Sequence, residues 1–178
     1  MTRPPLAPQT LETARLILRG FALDDIDADG RIFSDPLVTR FLPRGPYPAD
    51  KARDIASRTI SYFIEHWEQH GFGVWAVIDK ASGALIGQCG LNKLEEAPDV
   101  EVLYLLDRPF WGRGLATEGT RASVDAGFTS VGLRRIVGLI KPENTASQRV
   151  LEKVGLHYEK DAVFFGIVVR CFALERNP

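Results

Sequence analysis

The chain has 178 residues, enough for one domain with a substantial core, and 45% of them are hydrophobic. Its formal net charge of −1 offers no basic field for nucleic acid or for an anionic membrane surface. No apolar run approaches the roughly 20 residues that span a bilayer, and the first residues lack the apolar segment of a signal peptide. The two cysteines, Cys89 and Cys171, are too few for a disulfide framework. We therefore expect a cytoplasmic protein in which both are small core residues.

The first part of the chain predicts a strand followed by short helices. Residues 1–10 are expected to form a loose lead-in, and residues 11–178 a single domain. Weak alternation over residues 14–21 predicts the first strand. Aspartates before apolar positions in 23–35 predict a short helix, and the proline-broken segment 36–48 predicts another short helix followed by a rigid loop.

The clearest periodicity begins at Asp50. Apolar side chains recur at spacings of three and four residues until Gly71, which predicts an amphipathic helix. Two strands, 73–79 and 84–91, flank the turn sequence KASG and predict a hairpin. A third strand is predicted over residues 100–107.

The second half predicts alternating strands and helices. The stretch RPFWGRGLATEG, residues 108–119, leads from the third strand of that group into a predicted helix. A strand over 134–140, a helix over 143–155 and two strands within 157–176 complete the chain. Hairpins combined with β-α-β crossovers imply a mixed sheet with helices packed on it.

The glycines of that stretch call for a close backbone approach or a tight turn. A helix N-terminus presents free N–H groups and partial positive charge, and Gly112 and Gly114 would let a phosphate reach them. The alternative is an ordinary strand-to-helix turn in which glycine supplies only the dihedral angle. The GxxxxGK[ST] phosphate loop is absent, and Thr117 occupies the third glycine position of the dinucleotide fingerprint. The sequence therefore disfavours NAD.

Two motifs in order resemble those of the GNAT superfamily of acetyl-CoA-dependent N-acyltransferases. WGRGLA is similar to the family signature (Gln/Arg)-x-x-Gly-x-(Gly/Ala) at Gly114 and Ala116, with Trp111 in place of the first residue. ENTASQRVLEKVGL resembles the second motif, in which Asn-x-x-Ser precedes Lys-x-Gly. Together with the opening strand, these motifs look most like the branch of ribosomal-protein N-terminal (alanine/serine) acetyltransferases.

This resemblance implies a fold and a reaction. The fold would be α/β (α+β), with a central mixed, mostly antiparallel sheet of about seven strands, splayed between the fourth and fifth and flanked by about four helices. The reaction would move acetyl directly from acetyl-CoA, the co-substrate, to a primary amine of a protein N-terminus or a small molecule. The resemblance implies neither a metal, a nucleic-acid partner nor a membrane partner, and it leaves a homodimer open.

The resemblance also implies cofactor contacts. Backbone groups around Leu106 would pair with the pantetheine arm, and Asn144 would cap its helix and touch cofactor or substrate. Backbone amides would hold the pyrophosphate, with Arg113 adding charge or facing solvent. The residues of this turn are Gly112, Arg113, Gly114, Leu115, Ala116 and Thr117.

Two residues are candidates for proton transfer. Glu101 is a carboxylate within an apolar strand, and it is either the general base or a glutamate at the wet end of the sheet. The position where many family members carry a proton-donating tyrosine is Leu151, so the resemblance points to Ser147 as the general acid. The alternative for Ser147 is a first-turn serine bonded back to the backbone.

Other features set the remaining expectations. His66 and His70 have the four-residue spacing of a zinc pair but no third ligand, so a solvated helix end is expected. The acceptor would lie against segment 36–48 and the loops around 92–99 and 161–167. Rival functions are a non-catalytic acyl-CoA-binding module and, less favoured, an NAD-binding α/β protein.

Overall fold

Eight strands form one sheet in the computed structural model, which describes residues 8–176. Residues 1–7 of the predicted lead-in lie outside the described residues. The strands are β1 (Leu11–Glu12), β2 (Leu16–Arg19), β3 (Val74–Asp79), β4 (Leu85–Lys93), β5 (Val100–Leu106), β6 (Arg135–Ile140), β7 (His157–Phe164) and β8 (Ile167–Glu175). The α-helices are α1 (Ile26–Phe33), α2 (Pro36–Thr39), α3 (Ala52–His70), α4 (Leu115–Ala126) and α5 (Thr145–Lys153).

The sheet is antiparallel except at one place. Its strand order is β1-β2-β3-β4-β5-β6-β8-β7, and the single parallel neighbours are β5 and β6. These two strands pair only at Glu101 and Val137, whereas β5 pairs with β4 along its whole length. The predicted mixed, mostly antiparallel sheet with one splayed pair is confirmed. An eighth strand arises because Leu11 and Glu12 pair with β2, a contact too short for a sequence pattern to reveal.

Helices cover both faces of the sheet. Helices α1 and α3 pack on one face, where Ile32, Ile60 and Phe63 meet β3 and β5 in a buried cluster. Helices α4 and α5 pack on the other face, where Leu115 and Leu151 belong to a second, larger cluster. Within residues 8–176, no helix is both long and apolar enough to cross a membrane.

The end of α3 differs from its expected solvated state. His66 is buried, and its ring nitrogens are both used: Nδ1 lies 2.9 Å from the Phe72 carbonyl oxygen, and Nε2 accepts the Lys93 backbone N–H at 3.0 Å. Burial lowers the pKa of His66, so the ring is held neutral. The expectation of a solvated His66 is wrong, because the ring completes hydrogen bonds between α3, the following loop and β4. Across the described part of the chain, no group of three or more His, Cys, Asp and Glu side chains is arranged to hold a metal ion.

Candidate active site

A cavity of about 600 Å³ opens where β5 and β6 separate. It reaches from the glycine-rich turn, past the middle of β5, to α2 and the β7–β8 turn. Nine of the ten site residues predicted from the sequence line it, and only Arg113 does not. The nine are Glu101, Leu106, Gly112, Gly114, Leu115, Ala116, Thr117, Asn144 and Ser147.

The glycine-rich turn has the backbone geometry of an anion site. Gly112 and Gly114 adopt left-handed conformations, with φ of 70° and 75°, which a side chain disfavours. Gly114 is the N-cap of α4 and has no side chain with which to cap it. The first intrahelical bond is donated by the Glu118 N–H. The amides of the preceding turn residues are therefore left for a ligand in the cavity.

Arg15 clamps this turn, a role that the sequence analysis did not find. Its Nη1 donates to the Arg113 carbonyl oxygen at 2.8 Å, and its Nε donates to Glu118 at 2.7 Å. Glu118 also accepts from the Thr13 hydroxyl. Burial alone would raise the pKa of Glu118, but the bonds from Thr13 and Arg15 outweigh it and hold the pKa below its usual range. The clamp neutralises the one carboxylate in the first turn of α4 and joins that turn to the segment between β1 and β2.

Two side chains of the turn take different directions. Arg113 is exposed and does not line the cavity, and its guanidinium lies 5.4 Å from the centre of the Phe110 ring. Trp111 lines the cavity, and its Nε1 donates to the Leu106 carbonyl oxygen at 2.7 Å. A pantetheine arm would thus share the Leu106 carbonyl with the indole or use neighbouring backbone groups.

Beyond Glu101, the edge of β5 that faces β6 has no strand partner, and the Trp111 indole takes only the Leu106 carbonyl. Residues 102–106 pair with β4 on one side but have no β6 partner on the other. Strand backbone without a partner presents alternating N–H and C=O groups, which an extended amide chain can satisfy. The splay therefore offers a slot with the hydrogen-bonding pattern of a missing strand.

Glu101 lies at the point where the two strands part. Its side chain is buried, and burial raises its pKa to about 8, although the Leu139 backbone N–H lowers it in part. It shares a sheet face with Leu103 and Leu105, as strand alternation predicts. Because the side chain is buried, a glutamate at the wet end of the sheet does not describe its position. A carboxyl group with this pKa accepts a proton once the pH approaches about 8.

The first turn of α5 forms the opposite wall. Asn144 caps the helix, as predicted, because its Oδ1 accepts the Ser147 N–H at 3.2 Å. Among the described residues the Ser147 hydroxyl is not bonded back to the helix backbone, and it lies beside the Tyr104 phenol, whose pKa it lowers in part. Leu151 is fully buried beside Gly138. A tyrosine there would not fit without displacing the strand.

Tyr104 is a cavity residue that the sequence analysis missed. Its hydroxyl donates to the Ser147 carbonyl oxygen at 3.0 Å and so ties β5 to α5 across the splay. Burial raises its pKa, which keeps it a phenol over the whole range of assay pH. Strand alternation puts Tyr104 on the face opposite Glu101, but it does not reveal a hydrogen-bond partner 43 positions away.

Cations line the α5 side of the cavity. Lys141, Arg149 and Lys153 contribute to the lining, whereas Glu101 is the single acidic side chain among the described lining residues. Basic side chains beside a helix N-terminus favour a ligand that carries several phosphates. The sequence signal was available, since Arg149 and Lys153 are four residues apart on one helix face.

Comparisons with known proteins agree with this geometry. Residues 15–157 match the family described as Acetyltransferase (GNAT) domain. A Bacillus licheniformis protein named Uncharacterized N-acetyltransferase p20 is 34% identical, over 93% of this chain and 99% of its own length. An Agrobacterium tumefaciens acetyltransferase has a similar structure, with a TM-score of 0.81, 25% identity and 99% of both chains covered. The RimJ protein of Mycobacterium smegmatis, in complex with CoA-disulfide, has a TM-score of 0.81 at 21% identity, over 97% of this chain and 90% of its own.

The splayed, mostly antiparallel sheet with a glycine-rich turn at its open edge is the fold that the family resemblance implied. The family match covers most of the chain, and so the chain belongs to the GNAT acetyltransferases. It is an acyltransferase enzyme, which sets aside the non-catalytic binding module and the NAD-binding protein.

Proposed function

We propose that this protein transfers acetyl directly from acetyl-CoA to a primary amine. The observation that carries the proposal is that one cavity joins the free amides of the α4 turn, the unpaired edge of β5 and the buried Glu101. The amides would hold the pyrophosphate, and the β5 edge would pair with the pantetheine arm. The thioester would then lie between β5 and β6, beside Glu101.

The reaction moves protons at the nitrogen and at the leaving sulfur. Glu101 takes a proton from the ammonium form of the acceptor, and the neutral nitrogen attacks the thioester carbonyl carbon. The new C–N bond forms, the C–S bond breaks, and the thiolate takes the Ser147 hydroxyl proton. The second proton of the attacking nitrogen returns to Ser147 through water, which leaves a neutral amide, free CoA thiol and one proton on Glu101 for solvent to remove. Neither cysteine is placed to form an acyl-enzyme: Cys89 is buried against α4, where burial raises its pKa to about 11, and Cys171 is buried in β8. Direct transfer follows.

The acceptor proposed is a peptide N-terminus or a similarly weakly basic amine. The pKa of a peptide α-amine is near ~8 and that of a lysine side chain near ~10.4. Because proton transfer is most effective between groups of matched pKa, a Glu101 titrating at about 8 suits the α-amine better. The resemblance to the ribosomal-protein N-terminal acetyltransferase branch implies the same acceptor, and we propose a cytoplasmic location, where acetyl-CoA and nascent protein N-termini meet.

A panel of matched acceptors tests the function. Peptides with a free N-terminus and no lysine are compared with N-blocked peptides carrying one lysine, and with spermidine, by thiol release from acetyl-CoA. We expect the free N-terminus to give the highest kcat/KM. Preference for N-blocked lysine or spermidine would contradict the acceptor class, and the absence of amine-dependent thiol release would contradict acetyl transfer itself.

Replacing Ser147 by alanine is expected to lower kcat by about 10²-fold or more, since general acid groups typically contribute that much. The dissociation constant of acetyl-CoA should stay the same, because the Asn144 cap uses only the Ser147 backbone. Ser147→Thr keeps a hydroxyl and is the matched control, which should retain much of the activity. A thioester whose leaving thiol is more acidic needs less help from a general acid. It should therefore reduce the difference in kcat between Ser147→Ala and the wild type. If Ser147→Ala kept the full wild-type kcat with a verified acceptor, Ser147 would not be the general acid and would have only a structural role in α5.

A further inference from the structure

The cavity changes character away from the phosphate turn. On that side its walls are apolar: Leu37, Phe41 and Leu42 come from α2 and the loop after it, Phe165 comes from the β7–β8 turn, and Ile167 begins β8. Leu37 and Phe165 remain 47% and 43% exposed, so large apolar side chains stand at an open mouth. Solvent-exposed apolar walls around a reactive carboxylate indicate a ligand with an apolar body.

The charges of the cavity exclude an acceptor with several ammonium groups. Glu101 is the single carboxylate among the described lining residues, and the other charged groups there are basic. The Arg40 guanidinium lies over the Phe41 ring, at 4.9 Å from its centre, and adds positive charge to the α2 side. Each further ammonium group brought into this site would lack a partner and meet like charge.

Phe165 occupies a position that its residue type disfavours. The β7–β8 hairpin pairs Phe164 with Ile167, so Phe165 and Gly166 form its two-residue turn. Their φ angles are 55° and 74°, the conformation for which asparagine followed by glycine is the usual choice. The Phe165 N–H is held by the Glu96 carboxylate at 3.1 Å, from the β4–β5 loop. An aromatic residue in a left-handed turn, anchored so that it lines the cavity, indicates a contact with ligand.

We propose that the acceptor is a monoamine with an apolar group of leucine or phenylalanine size beside the amine, and that Phe165 selects it. The ammonium group meets Glu101, and the apolar group packs between Phe165 and the segment Leu37–Pro43. This inference rests on the proposed function, since it specifies the acceptor of the same site.

Peptides that differ only in the first residue test the proposal. Their α-amines have similar pKa values, so rate differences report the side chain. We expect kcat/KM for N-terminal leucine or phenylalanine to exceed that for glycine by about tenfold or more, the order that apolar pockets achieve. Spermidine should be a poor acceptor.

Phe165→Asn is the decisive variant, because asparagine suits the turn and should not weaken the fold. It is expected to raise KM for the leucine and phenylalanine peptides by about tenfold. KM for acetyl-CoA and for the glycine peptide should be unchanged. Val163→Asn is the matched control: Val163 is exposed in the same hairpin but does not line the cavity.

The outcomes separate this inference from the function on which it rests. The inference would be overturned if the protein acetylated amines but preferred glycine peptides or spermidine. It would also be overturned if Phe165→Asn preferred leucine and phenylalanine peptides over glycine peptides as strongly as the wild type does. Either result would leave the proposed function standing. No acetylated product from any amine would overturn the function.

Discussion

Replacing Glu101 by glutamine is expected to lower kcat/KM by about 10²- to 10⁴-fold at pH 7.5, the usual contribution of a general base. Burial raises the pKa of Glu101 to about 8. Below that pH the free enzyme carries a protonated carboxyl group, which cannot accept a proton. The wild-type kcat/KM should therefore rise as the pH passes through about 8. The variant should not show the part of this rise that is due to ionisation of Glu101.

Two acceptors with different amine pKa values separate the enzyme limb from titration of the amine. The pKa that Glu101 contributes to the pH dependence of kcat/KM stays the same when the acceptor is changed. The pKa that belongs to the amine changes with the acceptor. The pH dependence of kcat reports the enzyme with substrate bound. There the pKa of Glu101 should be lower than in the free enzyme, because a bound ammonium group favours the carboxylate. Raising the pH should partly rescue Glu101→Gln, since the acceptor then arrives neutral.

The controls exclude unfolding as the cause. Because the folded-state pKa of Glu101 lies above its ordinary value, its ionisation reduces stability as pH rises from about 4.5 to about 8. Glu101→Gln should accordingly unfold at an equal or higher temperature at pH 8. Glu95→Gln makes the same chemical change on the adjacent exposed loop and should leave the profile unaltered. A Glu101→Gln profile that superimposes on the wild type would remove Glu101 from the mechanism.

Replacing Gly114 by aspartate is expected to weaken CoA binding by about 10²- to 10³-fold, because two unit charges about 4 Å apart near a protein surface repel by about 4 kcal/mol. Gly114 has φ of 75° at the N-cap of α4, and aspartate tolerates that conformation better than most residues. A Cβ there would meet only Arg15 Nη2, at 3.6 Å. The fold should therefore persist, and titration calorimetry with CoA measures the loss.

Two variants separate charge from backbone strain. Gly132→Asp introduces the same residue at φ of 80°, in open space and outside the cavity lining, so it should bind CoA normally. Gly114→Ala adds strain without charge and should lose far less affinity than Gly114→Asp. Unchanged CoA affinity in Gly114→Asp would place the pyrophosphate elsewhere, and tight NAD binding by the wild type would contradict the cofactor assignment.

The features that the sequence predicted are those governed by local patterns. The left-handed glycines, the α4 N-terminus and the Asn144 cap depend on residues a few positions apart, and all are present. A charged residue within an apolar strand predicted a role for Glu101, and the structure buries that side chain. Such features follow from backbone conformation and periodicity, which single residues determine.

The features that were missed depend on contacts between distant parts of the chain. The Arg15–Glu118 clamp joins residues 103 positions apart, and the Tyr104 bond to α5 spans the splay. The sequence left open whether Arg113 adds charge at the phosphate site or faces solvent, and in the structure it is exposed, with its guanidinium over the Phe110 ring. Side-chain direction at exposed loop positions is set by such neighbours, and a single sequence does not encode them locally.

The most direct test of acetyl transfer is a balance of products. The protein is incubated with acetyl-CoA and a leucine-first peptide with a free N-terminus, and mass spectrometry counts acetylated peptide against free CoA thiol. We expect one acetylated α-amine per thiol released, and no acetylated protein when the peptide is omitted. Thiol release without acetylated amine, or an acetyl group on the enzyme that passes to the peptide, would contradict direct transfer.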